Sequence, residues 1–375
     1  MPVMIAGTGM TKVGDHWDKN IIDLLIEAAT KALEDANVRD VDAVIVSNMV
    51  ADYLINQSNL ASYLADYLGL RAHSIRVESA CGSGGMGVHL GYRYVKSGAK
   101  NVLVVGVEKL TDTLTPENTS AMMLADDWLA SFNMGSTFIS LNALALRYYL
   151  DTYGVDHEYI MMFPVICHDH ALSNPYAQFR RKITVEAVKK SPIIADPLHL
   201  LEASAYGDGA AALILSSEKG DVEITASEVS HDKIRLANRE NPLILRAVQE
   251  AASKAYNIAK IGPRDIDVLE VHDAFSITGI LGLESLGFAK PGEGWKLVKN
   301  EEIRINGSLP TNTFGGLKAR GHPVGATGVY QIVEITLQLR GEADKNQVEG
   351  AKIGLAENIG GVATSAIVHI LKKLD

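Results

Sequence analysis

Cysteine is scarce: two residues in 375, too few for a disulfide framework or a four-thiolate zinc site. Basic residues are in deficit, with 35 Lys and Arg against 45 Asp and Glu and a formal net charge of −10, which disfavours a general nucleic-acid binder. No apolar run approaches the ~18 residues that a membrane-crossing helix requires. The opening residues, Met1-Pro2-Val3-Met4-Ile5-Ala6-Gly7, lead straight into a strand-like run without a charged leader segment, so secretion is not expected. The closing Lys372-Lys373-Leu374-Asp375 is not the peroxisomal tripeptide. A reducing cytoplasm is the expected location, and any cysteine chemistry would use a single thiol. What remains is 47% apolar and 21% charged, a globular composition with two or three domains' worth of core.

The chain resembles itself. Arg39-Asp40-Val41-Asp42-Ala43-Val44-Ile45-Val46 reads like Arg264-Asp265-Ile266-Asp267-Val268-Leu269-Glu270-Val271, and each follows a helical stretch of related pattern, Ala28–Ala32 and Ala251–Ala255. Farther on, Gly87-Val88 and Gly328-Val329 open helix-like runs, each followed by a strand-like segment (Asn101–Val107 and Lys352–Ala356). The order helix, strand, connection, helix, strand thus occurs twice, roughly 225 to 240 residues apart. Strands alternating with helices imply parallel sheets covered by helices, so a duplicated α/β fold is expected, with halves at 1–225 and 226–375. Residues 111–205 interrupt the first half without a counterpart in the second. An insertion this long should carry its own helices, and it reads as a subdomain that covers something. Its methionines (Met122, Met123, Met134, Met161, Met162) are irregularly spaced, which suits core filling.

Ser79-Ala80-Cys81-Gly82-Ser83-Gly84-Gly85-Met86-Gly87 stands between a short strand-like run and a helix-like one. A thiol at that turn meets unpaired helix N–H groups, which predicts a lowered pKa and a nucleophilic role. The same glycines formally satisfy G-x-G-x-x-G, with Glu108 suitably placed for a ribose, so a dinucleotide-binding dehydrogenase is a rival reading. That rival leaves the second half unexplained. When Gly87 is aligned with Gly328, Cys81 falls opposite His322 in Gly321-His322-Pro323-Val324-Gly325-Ala326-Thr327-Gly328. Halves packed about a pseudo-twofold would bring this imidazole to the thiol, as cysteine nucleophiles require. His272 follows a strand-like segment, where ligands bind in α/β sheets, and Gly360-Gly361 could aim backbone N–H groups at an oxyanion.

Taken together these motifs resemble the thiolase superfamily, most closely archaeal acetoacetyl-CoA thiolases and sterol-carrier-type thiolases. The match spans most of the chain. Cys81 sits in the nucleophile motif, His272-Asp273-Ala274-Phe275 in the place of Asn-Glu-Ala-Phe, His322 in Gly-His-Pro-x-Gly-Ala-Thr-Gly, and Asn358–Gly361 in the place of Cys-x-Gly-Gly. Asp208-Gly209-Ala210-Ala211 looks like the end of the family's inserted loop domain, and Asn174–Gln178 is similar to the archaeal enzymes. The resemblance implies a duplicated αβαβα five-layer fold and a homodimer or homotetramer. It implies ping-pong acyl transfer between coenzyme A thioesters with no metal and no tightly bound cofactor. The acetyl group would go to Cys81 and its proton to His322. One oxyanion hole would come from His322 and a water on His272, the other from the Cys81 and Gly360 backbone N–H groups. The usual second cysteine is missing, since its position is Asn358. The other thiol, Cys167, could serve as acid/base or merely pack, and His272 is a further candidate. Arg180-Arg181-Lys182 is a short basic cluster that could meet coenzyme A phosphates but more often would form a solvated charged face, and Gly316 is a further candidate substrate contact. The expected activity is condensation of two acetyl-CoA, feeding HMG-CoA and mevalonate synthesis. HMG-CoA synthase and a small zinc-ribbon/OB-fold protein are possible partners. Alternatives are a thiolase acting on longer or branched 3-ketoacyl-CoA, a steroid side-chain retro-aldolase (a class that lacks the nucleophilic cysteine), and a catalytically reduced scaffold subunit.

Overall fold

The computed structural model describes residues 1–374. The strands are β1 (Met4–Met10), β2 (Ala43–Ser47), β3 (His73–Val77), β4 (Asn101–Glu108), β5 (Ile193–Ala195), β6 (Leu198–His199), β7 (Gly209–Ser216), β8 (Val222–His231), β9 (Val268–Glu270), β10 (Ile353–Gly360) and β11 (Ser365–Lys373). The helices are α1 (Ile21–Ala36), α2 (Ala51–Leu54), α3 (Leu60–Tyr67), α4 (Ser83–Lys96), α5 (Thr115–Met122), α6 (Phe138–Tyr153), α7 (His157–Ala171), α8 (Val185–Lys190), α9 (Arg246–Ala259), α10 (Ser276–Ser285), α11 (Gly294–Lys299) and α12 (Thr327–Arg340).

The duplicated pattern is a duplicated structure. Asn20 caps α1 by accepting from the N–H groups of Ile22 and Asp23. One face of α1 buries Leu24, Leu25, Ala28, Ala29 and Ala32, the three-to-four spacing of an amphipathic helix. In α9 the buried face is Ala247, Val248, Ala251, Ala252 and Ala255. Strands β4 and β7 bury nearly every residue, because helices cover both faces.

Nine strands form one sheet in the order β3-β2-β4-β7-β1-β8-β11-β10-β9. The run β2-β4-β7-β1 is repeated in reverse as β8-β11-β10-β9. The two runs join where Met4 pairs with Glu223 and Ile5 with Val222. The half-sheets are therefore continuous through β1 and β8, and the boundary expected at 225/226 falls inside β8. Helices α4 and α12 each pack on strands of both halves, α1 and α3 cover the outside of one half, and α9 that of the other, with α10 packed beside α9. This is the five-layer order expected.

The two central helices meet backbone to backbone. A Cβ on Gly84 would stand 2.6 Å from the Gly328 nitrogen, and one on Gly328 would stand 2.1 Å from the Gly85 nitrogen. Glycine is required there because any side chain would force the helices apart. The insertion carries α5 to α8 and the small β5–β6 hairpin. Asp208 ties its ends together, accepting from the backbone N–H groups of Leu110 (2.7 Å) and Thr111 (3.0 Å) and from Lys109 Nζ (2.7 Å). Met122, Met123 and Met161 are buried as filler, whereas Met134 is exposed.

Candidate active site

Cys81 is carried on the turn between β3 and α4. Ala80, just before it, has a left-handed backbone (φ 52°), a conformation that costs of order 1–3 kcal/mol in a non-glycine residue and is held only by surrounding contacts. Here the contacts are the Ala80 N–H to Glu78 Oε1 (2.5 Å), the Ser79 N–H to Ser83 Oγ (2.8 Å) and the Ser83 hydroxyl to the Ala80 carbonyl (2.6 Å). The expected fall in thiol pKa does not occur. Burial pushes the Cys81 thiol up to about 12, and the charges of Glu108 and Glu78 act in the same direction. Desolvation outweighs the helix terminus, so the resting group is a thiol.

His322 lies in the loop before α12. Cys81 precedes its helix by two residues and His322 by five, so the two are not strict counterparts, but their loops face one another across the Gly84–Gly328 contact. The Thr327 hydroxyl donates to the Pro323 carbonyl (3.3 Å), which leaves its oxygen to accept from His322 Nδ1 (2.6 Å). That assignment puts the basic lone pair on Nε2. Burial, then His272 and Arg320, hold the His322 pKa well below its usual value. Glu108 is fully buried. It accepts from Asn48 Nδ2 (2.7 Å) and from the N–H groups of Met49 (2.9 Å), Val50 (3.2 Å) and Gly325 (2.9 Å). It therefore clamps a loop of the first half to the His322 loop of the second. The dinucleotide reading is overturned, because its acidic residue is buried in this clamp and its glycines are packed against Gly360, Gly328 and Ser47.

His272 follows β9. Its N–H donates to Glu357 Oε2 (2.7 Å). Asn358, in β10, makes one contact with each neighbour: Nδ2 donates to His272 Nδ1 (3.1 Å) and to the Cys81 carbonyl (3.2 Å), and Oδ1 accepts from the Gly85 N–H (3.0 Å). With its Nδ1 lone pair so engaged, His272 carries its proton on Nε2. Burial drives its pKa to about 3, with Arg320 adding to the effect, so the ring stays neutral. The rings of His272 and His322 meet edge to face, centroids 5.1 Å apart at 88°. Ligating atoms of Cys81, His272 and His322 all lie within 4.8 Å of one another, the only such trio among the described residues that could hold a metal ion.

Cys81 and His322 stand in a cleft of about 380 Å³, whose remaining lining is mainly apolar and includes Met122, Phe138 and Ile139 from the insertion and Phe275 from the second half. The insertion thus covers the cleft. A Cβ on Gly82 would be 3.0 Å from the Gly360 nitrogen, which puts that amide against the Cys81 turn.

Other sequence candidates lie elsewhere. Cys167 donates to Asp273 Oδ2 (3.4 Å) and does not line the cleft. Gly316 (φ 57°) is buried beneath Asp273, where a Cβ would be 2.6 Å from either carboxylate oxygen, so it shapes a turn instead of a substrate contact. Arg180 is exposed and donates to the Leu172 carbonyl. Arg181 is exposed with its guanidinium 6.0 Å from the Phe179 ring, and Lys182 is exposed too. None of the three lines the cleft. The sequence reading missed Thr327, which orients His322, and saw Asn358 only as the place of a lost thiol. A hydroxyl on the first turn of the helix after a functional histidine was the available signal for Thr327. Nothing local marked Asn358.

A twinned α/β fold with one thiol and two imidazoles at the junction of its halves defines a thiolase-type protein. Family models agree: "Thiolase, N-terminal domain" matches residues 3–219 and "Thiolase C-terminal domain-like" matches residues 228–373, and the chain belongs to the thiolase family. It is 44% identical over 382 residues to an acetyl-CoA acetyltransferase of Methanothermobacter thermautotrophicus, covering 99% of each chain. It is 32% identical over 397 residues to sterol carrier protein 2 of Rattus norvegicus, covering 99% of this chain and 72% of that protein. Among solved structures, an Ltp2–ChsH2(DUF35) aldolase matches with a TM-score of 0.82 at 23% identity, covering 99% and 98% of the two chains. At that identity the likeness concerns the fold.

Proposed function

We propose that the protein is an acetyl-CoA C-acetyltransferase that transfers acetyl through Cys81 and condenses two acetyl-CoA into acetoacetyl-CoA. The observation that carries this is the thiol and two imidazoles within 4.8 Å of one another, with Cys81 and His322 lining an apolar cleft, in a chain 44% identical to an enzyme of that name. In the first half-reaction His322 Nε2 takes the Cys81 proton as sulfur attacks the thioester carbonyl. The tetrahedral oxyanion is received by the Cys81 and Gly360 N–H groups. Its collapse breaks the C–S bond to coenzyme A, whose thiolate recovers the proton from His322. Such concerted transfer suits a neutral pair, since the buried thiol does not ionise on its own. Cys167 packs, and coenzyme A thioesters are substrates with no tightly held cofactor.

We assign the product to HMG-CoA and mevalonate synthesis in the cytoplasm. No helix among the described residues is long and apolar enough to cross a membrane. The working assembly is a homodimer or homotetramer. A DUF35-type partner, the kind named for the aldolase of similar fold, would join it to an HMG-CoA synthase. The apolar cleft also supports a second reading, in which longer or branched 3-ketoacyl-CoA are accepted. Comparing cleavage rates over acyl lengths separates the two.

The test is intact-mass measurement after incubation with acetyl-CoA. The expected result is a gain of one acetyl group, lost in Cys81→Ala. Full activity in Cys81→Ala would sink the proposal.

A further inference from the structure

Condensation requires a base for the methyl group of the second acetyl thioester, and by then Cys81 is already acylated. Few groups can serve. Cys167 is held by Asp273 away from the cleft. Tyr206 lines the cleft, but burial raises its phenol pKa above the ordinary value, so it can donate a proton and not accept one near neutrality. The hydroxyls of Thr115, Thr119 and Ser204 are weaker bases still. His272 has its Nδ1 lone pair on Asn358 and presents only an N–H. His322 is left, with Nδ1 bound to Thr327 and Nε2 free.

We propose that His322 is the sole base in both half-reactions, and that the His272 Nε2–H, set by Asn358, holds the enolate oxygen. This rests on the acetyltransferase reading above. His322 Nε2 takes a proton from the methyl carbon of acetyl-CoA. The C–H electron pair becomes the enolate double bond, and the carbonyl pair moves onto oxygen, where His272 donates to it. The enolate carbon attacks the carbonyl carbon of S-acetyl-Cys81 and a C–C bond forms. Collapse breaks the C–S bond, Cys81 leaves as thiolate, and the thiolate takes the proton from His322. The products are acetoacetyl-CoA, a thiol and a neutral imidazole, so no second thiol is consumed. The surroundings suit both ends of the cycle. A prearranged donor is what makes a weakly acidic methyl accessible to a modest base, and the burial that disfavours the Cys81 thiolate drives it to reclaim the proton.

The experiment follows loss of deuterium from methyl-deuterated acetyl-CoA in ordinary water by mass spectrometry. It uses a Cys81→Ala background, where no acyl-enzyme can form. Cys81→Ala alone should exchange. Adding His322→Gln or His322→Asn should slow exchange at least about a hundredfold, the usual scale of a general base, whereas adding Cys167→Ser should leave it within about twofold. Thermal melts of each variant separate a lost base from a lost fold, and the two His322 replacements back one another up. Exchange that survives replacement of His322, that is absent in Cys81→Ala alone, or that collapses with Cys167→Ser or Tyr206→Phe overturns the inference. If the native protein acetylates Cys81 yet the His322 variants still exchange, this inference alone fails. If the native protein neither acetylates nor exchanges, the acetyltransferase reading fails with it.

Discussion

Asn358 uses both amide hydrogens and its carbonyl oxygen in three directions at once, on His272, Cys81 and Gly85. Its side chain selects the tautomer of a histidine it does not resemble chemically. Replacing it by aspartate puts an acceptor where the donor was, so His272 would move its proton to Nδ1 and withdraw the Nε2–H from the neighbourhood of Cys81 and His322. For Asn358→Asp we expect kcat for acetoacetyl-CoA cleavage to fall about a hundredfold, the scale of one lost oxyanion donor, with a smaller change in KM. The nitrogen NMR shifts of His272 should report the opposite tautomer, which a purely structural defect would not produce. Unchanged shifts would contradict this role. At this scale the sequence was partly legible. Cys81 and His322 stand in glycine-rich turns whose spacing is local. Charge alone singled out Arg180 and Arg181, which lie on the exposed face that such clusters usually form, and Gly316 turned out to shape a buried turn.

The elements that matter most are α4 and α12, whose contact sets the separation of the two reactive loops. For Gly328→Ala the new methyl would lie 2.1 Å from the Gly85 nitrogen, backbone that cannot swing aside. We expect a loss of about 1–3 kcal/mol, typical of overpacking, read as a lower urea midpoint, with slower Cys81 acetylation because Cys81 and His322 stand on the loops that lead into the displaced helices. Gly14→Ala is the comparison. Nothing lies within 4 Å of its would-be Cβ, and its stability should stay within about 0.5 kcal/mol of the parent. Equal stability of the two variants would refute the packing argument. The repeat itself was readable, since α1 and α9 advertise their buried faces at helical spacing. That their half-sheets join through β1 and β8 was not, because a two-pair junction leaves no pattern.

At the scale of the whole molecule, burial between layers governs protonation. His369 of β11 reaches the Gly85 carbonyl of α4 (3.2 Å), so it ties one half to the other. Burial, then the charge of His89, lowers its pKa to about 3. A base whose folded pKa is depressed contributes stability above its unfolded value near 6.5 and loses it as pH falls toward the folded value. Denaturant titrations at several pH values should therefore show His369→Gln gaining on the parent as pH drops from 6 to 4.5, by up to about 1.4 kcal/mol per pH unit. A difference independent of pH in that window would contradict the assignment.

Composition, repeat and motif order are properties of the chain read in one dimension, and they determined the duplicated α/β architecture, the family, and which thiol and which imidazole to pair. Charge states and hydrogen-bond partners depend on what lies a few ångströms away through space and on how much water is excluded. Only the packing of one half against the other could decide that Cys81 rests as a thiol, that His272 is a donor held by Asn358, and that Glu108 clamps two loops instead of holding a ribose.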